Sequence, residues 1–396
     1  MSMFSTTGIW ADEDPREAVS RSVTAVEGAP DAPPIPFPLM AQPAAGGTRW
    51  AVDALGFAAQ LLLELPVDIG PAGWRLLGAR AATGTRALDS RREASRLGRA
   101  VDALSEYAER SGLPVLLSAP GPWTLVRRLG LPDEAPVLGD AGARRDVIQA
   151  YAEGLRQFRS RLSALTGGRV RVRLVEEELD AVLTGTVPTV SGYRTLPAVP
   201  DAQVTAALRS LVARTGEDTL LSLPRADSVR IAGKEIPHTR LAREAGVSAL
   251  AVGGLARGGT LRSPQNPQDR QDSQDRPEPQ VPRSEAAVRG PQNARAVRRW
   301  EQLAEWTEAG GELWLRIPPE AAAAPECVSA WVQAVREPWE AVGMSPEGLS
   351  GFGILTGDEL PLGAHPLLPE EAGPERSRRH LRMAESLARA FADQAG

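Results

Sequence analysis

The sequence predicts a (β/α)8 barrel, and three observations lead to this fold class. Short apolar runs alternate with helical patterns over most of the chain, which is the rhythm of βα units around a parallel sheet. There are eight such runs, and 396 residues are enough for one barrel of about 250 residues with insertions. No glycine-rich dinucleotide motif follows the first run, which disfavours a Rossmann-type open sheet.

The individual elements follow from residue spacing. Strands are predicted at 3–8, 35–40, 114–118, 170–175, 219–223, 247–252, 312–317 and 351–355. A helix is predicted over 141–162, with Asp140 as its N-cap, because apolar residues recur there at three- and four-residue steps. The same spacing predicts a C-terminal helix at Leu381, Ala384, Ala388 and Phe391.

Composition disfavours several functional classes. The net charge is −5, and basic residues are interspersed with acidic ones, so no nucleic-acid-binding surface is expected. The apolar run 61–65 is far shorter than the roughly 20 residues of a membrane span, and no signal-like segment is found, so we expect a cytoplasmic protein without membrane contact. Cys327 is the only cysteine, which excludes an internal disulfide and a multi-cysteine metal site. The preference for arginine over lysine is interpreted as compositional bias.

One segment interrupts the barrel pattern. Residues 258–293 are rich in Gln, Asp, Arg and Pro, and too few of them are apolar to favour ordering. We therefore predict a disordered insertion in a βα loop of a single domain spanning 1–396. Such a loop lies at the C-terminal face of a barrel, where substrates enter. One hypothesis is that this arm recruits a protein partner.

Five stretches in order carry a family resemblance. They are "TTGIWADEDPREAV", "LPVDIGPAGWRL", "APGPWTL", "DAGARRDVIQAYAEGL" and "VLTGTVPTVSGYRTL". Together they resemble actinobacterial single-barrel proteins related to the C-terminal catalytic domain of cobalamin-independent methionine synthase. The resemblance implies a barrel of the methionine synthase and uroporphyrinogen decarboxylase type. It also implies, for active relatives, methyl transfer from a methylated folate to homocysteine, which zinc activates as a thiolate.

The zinc ligands that the resemblance implies are missing here. Relatives hold the metal with His, Cys, Glu and Cys, and the matching positions in this chain are Ser222, Pro224, Gly253 and Glu359. Proline and glycine have no side-chain donor for zinc, and affinity depends on the full ligand set. We therefore expect no resident metal or other cofactor, although a folate or pterin remains a candidate ligand.

The amino-acid site of the relatives is also changed. Where they have a Gly-Ser turn, this chain passes from Gly8 to Trp10, and where they read Asp-Glu-Pro, it has Val175, Glu176 and Glu177. Glu176 alone matches, and valine cannot hold the ammonium group of homocysteine. Glu177 and the next residue, Glu178, are interpreted as a solvated rim, with an adapted cation or amine site as the alternative.

Three aromatic residues are predicted at the open face of the barrel. Trp123 and Tyr193 follow strands and join Trp10 there. They are candidates for stacking on a planar ligand such as a pterin. The alternative for Trp123 is that it fills the barrel mouth as part of the core, because large aromatic residues are mostly buried.

The three histidines are assigned structural or surface roles. His238 is predicted in the first turn of a helix after Pro237, His365 in a proline-rich loop, and His380 on the polar face of the C-terminal helix. No two of them have metal-ligand spacing.

Two functional hypotheses of different classes remain open. The first is a catalytically degenerate methionine synthase-like barrel that is retained to bind a small molecule, such as a folate or amino acid, or a protein partner. The second is an active methyltransferase or other barrel enzyme with a remodelled site. Its acid/base groups or oxygen ligands for a metal would be Glu176, Glu177, Asp358 and Glu359.

Overall fold

Eight parallel strands form a barrel in the computed structural model of the chain. The structure describes residues 3–11, 14–27, 33–41, 54–78, 88–108, 112–216, 218–225, 227–231, 233–255, 291–318, 327–360, 362 and 374–395. The strands are β1 (Phe4–Thr6), β2 (Ile35–Pro36), β3 (Val115–Pro120), β4 (Val170–Val175), β5 (Thr219–Leu223), β6 (Ala249–Val252), β7 (Glu312–Ile317) and β8 (Gly353–Thr356). All eight coincide with predicted strands, so the predicted fold class is confirmed.

The strands follow one another around the barrel in chain order. Each strand from β2 to β8 pairs in parallel with the strand before or after it, and β8 pairs with β1 through Ser5 and Leu355. The barrel closes between β1 and β2 through the segments that follow these two strands: Ile9–Ala11, after β1, pairs in parallel with Leu39–Ala41, after β2. Gly8 joins β1 to this extension at φ +83, and a Cβ on it would lie 2.6 Å from the carbonyl oxygen of Phe37. Only glycine fits that close approach.

Eleven helices are found among the described residues, and most cover the outside of the barrel. They are α1 (Pro15–Val26), α2 (Ala54–Gln60), α3 (Leu88–Ala108), α4 (Pro122–Arg128), α5 (Ala141–Thr166), α6 (Leu179–Thr184), α7 (Asp201–Thr215), α8 (His238–Glu244), α9 (Pro291–Glu308), α10 (Val328–Ala341) and α11 (Pro374–Ala392). Two antiparallel hairpins, Val67–Gly70 with Gly73–Leu76 and Ser228–Ile231 with Lys234–Pro237, decorate the barrel. None of the helices within the described residues is both long enough and apolar enough to cross a bilayer.

The helix predictions are confirmed where they can be tested. Asp140 caps α5 as expected, because its Oδ1 accepts the backbone N–H of Ala143 at 2.8 Å. The apolar residues predicted for the C-terminal helix are buried on α11, and His238 begins α8. The prediction that His380 lies on the polar face of the C-terminal helix is wrong, because the residue is only 3 % exposed. It lies on the turn of α11 whose backbone carbonyl accepts the hydroxyl of Thr356, so this helix face packs on the sheet.

The last three residues of the predicted insertion, 291–293, belong to a helix. Residues 256–290 lie outside the described part of the chain, as does His365, but α9 already begins at Pro291. The sequence places residues 291–293 in the insertion because Pro, Gln and Asn are common in disordered segments. Proline is also favoured in the first turn of a helix, which explains the difference.

The interior of the barrel is divided into an apolar middle and two charged ends. Alternate residues of each strand point inward. Six of them form a buried cluster, namely Leu116, Leu220, Ala249, Ala251, Trp314 and Leu355. Outward-facing residues form the larger core against the helices. Charged residues of β4 and β7 lie at the two ends of the interior.

Candidate functional site

A cavity of about 580 Å³ opens at the C-terminal ends of the strands. Its volume lies in the range of roughly 300–1,000 Å³ that is typical of small-molecule sites. The cavity is lined by Pro224, Gly253 and Glu359, three of the four positions that the sequence resemblance matches to zinc ligands. The fourth, Ser222, is fully buried on β5. The structure therefore brings these four positions to the end of the barrel at which the active sites of barrel enzymes lie.

Arg173 lies fully buried on β4 beside this group. Its guanidinium donates to the hydroxyl of Ser222 at 3.0 Å and approaches the hydroxyl of Ser118 at 3.4 Å. Its Nε has no hydrogen-bond partner among the described residues. Burial, together with the nearby positive charge of Arg316, lowers the pKa of Arg173, while the carboxylate of Glu177 opposes this shift.

Arg316 projects from β7 between two carboxylates. It is 9 % exposed, and its Nη1 donates to the carbonyl oxygen of Leu223 at 2.9 Å. Its Nη2 forms an ion pair with Glu359 and lies 3.5 Å from Oε1 of Glu177. Burial lowers the pKa of Arg316, and Glu177 partly restores it. Two buried guanidinium groups thus lie beside the matched zinc positions.

This donor set does not fit a zinc ion. Ser222 is occupied by Arg173, Glu359 is paired with Arg316, and Pro224 and Gly253 have no side-chain donor. A divalent cation placed among them would meet two positive charges instead of thiolates. Within the described residues, no group of three or more His, Cys, Asp or Glu side chains could hold a metal ion.

Glu176 does not face the cavity. It is fully buried at the end of β4 and accepts hydrogen bonds from the backbone N–H of Trp123 at 3.0 Å and from the backbone and hydroxyl of Thr124 at 2.9 and 2.8 Å. It therefore caps the first turn of α4. Gly121 permits this contact, because a Cβ on it would lie 2.3 Å from the carboxyl carbon. Burial raises the pKa of Glu176 to about 7, although these hydrogen bonds oppose the shift.

The two following glutamates are not a solvated rim, so that interpretation is wrong. The Glu177 side chain is 25 % exposed and lies beside Arg316. The Glu178 side chain is 15 % exposed, pairs with Arg128, and lies 3.9 Å from Nε of Arg127. Both carboxylates are partly buried because each has a guanidinium partner, which their sequence neighbours do not supply. The alternative interpretation is a site for a cation or amine, and in the structure the cation beside each carboxylate is an arginine of the protein itself.

The aromatic candidates lie apart from the cavity. Trp10 is 1 % exposed and packs with Ala18 of α1 and Leu381 of α11, outside the barrel interior. Trp123 is 2 % exposed, and its indole N–H donates to the carbonyl of Val204, so it occupies a core position. Tyr193 is 94 % exposed in the loop between α6 and α7.

The carboxylates of the alternative enzyme hypothesis are not grouped together. Glu176 caps α4, and Asp358 forms an ion pair with Arg376 at 2.6 Å. Glu177 and Glu359 do meet, but through Arg316 between them. Each carboxylate thus already interacts with a cation or with hydrogen-bond donors of the protein, and Glu177 and Glu359 share theirs.

Sequence reasoning missed the arginines of this site. Besides Arg316, the cavity is lined by Arg225 after β5 and by Arg295 and Arg299 of α9. The abundance of arginine by itself indicates only a compositional bias, whereas two arginine positions carry a usable signal. Arg173 and Arg316 lie at inward positions of mostly apolar strands, where charged residues are rarely buried without a partner or function.

The comparisons with known proteins are limited to remote structural similarity. No protein-family model matches the sequence, and no curated protein matches it. A B12-independent methionine synthase from Shewanella sp. W3-18-1, solved in complex with selenomethionine, is 10 % identical, with 99 % of this chain and 98 % of that chain covered and a TM-score of 0.49. A methyltransferase from Methanosarcina mazei is 11 % identical over 84 % of this chain and 77 % of that one, with a TM-score of 0.40. A Pseudomonas aeruginosa chain provisionally described as a dihydrodipicolinate synthetase is 10 % identical, covers 99 % and 81 %, and has a TM-score of 0.34.

Proposed function

We propose that the protein is a methionine synthase-like barrel that binds an acidic small molecule and has lost zinc-dependent methyl transfer. The family assignment is supported by the five ordered sequence stretches that resemble this family. The loss of methyl transfer is supported by the chemistry of the matched zinc positions.

The observation that carries the proposal is the pair of buried guanidinium groups beside those positions. Arg173 donates to Ser222, and Arg316 pairs with Glu359. A thiol substrate becomes a strong nucleophile only as a thiolate, which in zinc enzymes the metal stabilises. Neither arginine can coordinate sulfur, and both favour anionic ligands.

The lining of the cavity supports a small-molecule ligand of negative charge. Four arginines and two carboxylates contribute to it, with Arg173 behind them. Positive charge in a concave, partly dehydrated site concentrates anions. Folates and amino acids both carry carboxylates, so either class meets this requirement.

Metal content and activity of the full chain test the proposal. We expect substoichiometric zinc after purification and no methionine formed from homocysteine and a methylated folate, with or without added zinc. We also expect thermal stabilisation by acidic compounds from a panel of folates and sulfur amino acids. Stoichiometric zinc together with methionine formation would overturn the proposal, and so would a panel in which no acidic compound stabilises the protein.

A second candidate is a barrel enzyme that uses carboxylates, and Glu359 favours it. The Glu359 side chain lines the cavity and is 55 % exposed, so it can reach a substrate. If this candidate is correct, Glu359→Gln should abolish turnover of a cavity-stabilising compound while its binding persists. Binding without any turnover in the unmodified protein would remove this candidate.

A further inference from the structure

Three arginines form a cluster at the outer wall of the cavity, named here the rim arginine cluster: Arg225, Arg295 and Arg299. Arg225 follows β5, while Arg295 and Arg299 lie one helical turn apart on α9, and all three line the cavity. Arg225 precedes Arg295 by 70 residues and Arg299 by 74 residues in the sequence, so only the fold brings them together.

The rim arginine cluster has too few carboxylates. Asp227 is paired with Arg295, with 2.9 Å between Oδ2 and Nη2. Arg299 donates to the backbone carbonyl oxygens of Gly254 and Leu255 rather than to a carboxylate. No ion pair or hydrogen bond joins Arg225 to another residue of the described ranges, and Arg225 is exposed. Among the described residues, one carboxylate therefore lies within ion-pair distance of the three guanidinium groups.

The positive charges of Arg225 and Arg295 influence the pKa of Arg299. Burial lowers the pKa of Arg299; Asp227 opposes the shift, and the positive charges of Arg225 and Arg295 add to it. Asp180 also interacts electrostatically with Arg225 and Arg295, but its carboxylate lies 2.6 Å from Nε2 of His238. An anion placed at the cluster would offset this repulsion and form charge-assisted hydrogen bonds.

Another part of the lining of the same cavity is apolar. Ile317 of β7 and Val335 of α10 are 4 % and 3 % exposed, and Trp331 of α10 lies beside them. An indole and two branched side chains offer dispersion contacts and a face for stacking, but no charge. A ligand in the cavity could therefore meet cations at the rim arginine cluster and an apolar surface at Trp331.

We infer that the cavity binds an amphiphilic anion, whose carboxylate or phosphate lies on the rim arginine cluster and whose apolar body packs against Trp331. This inference rests on the proposed function, because it assumes that the cavity is a small-molecule site. To the proposed function the inference adds the chemical class of the ligand and the residues that contact each end of the ligand. A guanidinium matches the geometry of both head groups.

Calorimetric titration of the full chain with simple probes tests the inference. The probes are phenyl phosphate, benzoate, inorganic phosphate and phenol. We expect one of the two aromatic anions to bind at least about tenfold more tightly than both inorganic phosphate and phenol. The stronger of the two identifies the head group. Equal affinity for phenol and the aromatic anions, or no binding of either anion at millimolar concentration, would overturn the inference.

Two variants and one control assign the ends of the ligand. The double variant Arg225→Ala/Arg295→Ala should weaken the aromatic anion by about tenfold or more, whereas Trp331→Ala should remove its advantage over inorganic phosphate. Arg145→Gln, an exposed arginine of α5 paired with Asp146, should bind as the unmodified protein does. Unchanged affinity in the double variant would overturn the inference yet leave the proposed function standing, since that function is judged by zinc content, methyl transfer and stabilisation by acidic compounds.

Discussion

Arg171 and Arg173 lie two residues apart on β4, and both point into the barrel, but their surroundings differ. Near the floor, Arg171 donates to Glu312 at 2.9 Å and its guanidinium carbon lies 5.6 Å from the ring centroid of Trp314. Nearer the mouth, the hydrogen-bond partners of Arg173 among the described residues are the hydroxyls of Ser118 and Ser222. One cation has a carboxylate and an aromatic partner, and the other has neither in contact.

This difference indicates that the two ends of the barrel serve different purposes. A paired cation at the floor stabilises the fold, because charge and hydrogen bonds are satisfied within the protein. A buried cation without a contacting carboxylate costs stability, so we expect its retention to reflect binding. The rim arginine cluster extends the same pattern of incompletely compensated positive charge at the mouth.

The largest expected effect concerns Glu176, at the mouth end of the same strand. Its pKa is raised from 4.5 to about 7, so between these values the folded chain keeps a proton that the unfolded chain has released. Stability should therefore fall as the pH rises from about 4.5 to about 7, by about 3 kcal/mol in total. Urea unfolding at pH 5 and pH 8 should show this slope in the unmodified protein and lack it in Glu176→Gln. Glu340→Gln, on the exposed side of α10, is the control, and equal slopes in all three proteins would refute the prediction.

Removal of the floor cation should have the next largest effect. Arg171→Met leaves Glu312 without its guanidinium partner and removes the contact with Trp314. Because the Glu312 side chain is 30 % exposed, the loss should be about 2 kcal/mol, less than for a fully buried pair. The free energy of unfolding from urea titration measures it. A loss below about 0.5 kcal/mol would show that the floor pair does not stabilise the barrel.

The corresponding substitution at the mouth, Arg173→Met, should not lower the free energy of unfolding. Arg173→Met removes a fully buried cation whose contacts are two hydroxyls, so stability should stay constant or rise by about 1 kcal/mol. The same urea titration measures the change, and Arg171→Met is the natural reference. If Arg173→Met loses as much stability as Arg171→Met, the distinction between floor and mouth fails.

The smallest effect on stability is expected at the rim. Arg225→Ala/Arg295→Ala should change the free energy of unfolding by less than about 0.5 kcal/mol, because both side chains are exposed and their mutual repulsion disappears. Thermal unfolding without added anions measures it. A large loss of stability would assign these arginines to the fold instead of to a ligand.

Much of the barrel could be predicted from sequence because strand and helix signals are local. The run 312–317 and the helix from Asp140 onward have the right periodicity and cap whatever surrounds them. The burial of His380 could not be predicted, because the face of α11 that meets the sheet depends on how the helix docks. The exposure of Tyr193 likewise depends on the path of a loop.

The charged site shows the same division. The sequence indicated which residues stand at the matched zinc positions, since a motif carries residue identity with it. The sequence did not reveal that the side chains of Arg173 and Arg316 lie beside these positions.

By itself, the sequence determined the eight strands, their order along the chain and the chemical unsuitability of Ser222, Pro224, Gly253 and Glu359 for zinc. These properties depend on neighbouring residues or on side-chain chemistry alone. Only the tertiary structure decided which charges meet: Arg171 finds Glu312, 141 residues away, and Arg316 finds Glu359. Ion pairs over such separations form because barrel closure brings strand ends together, and no local pattern in the chain records that geometry.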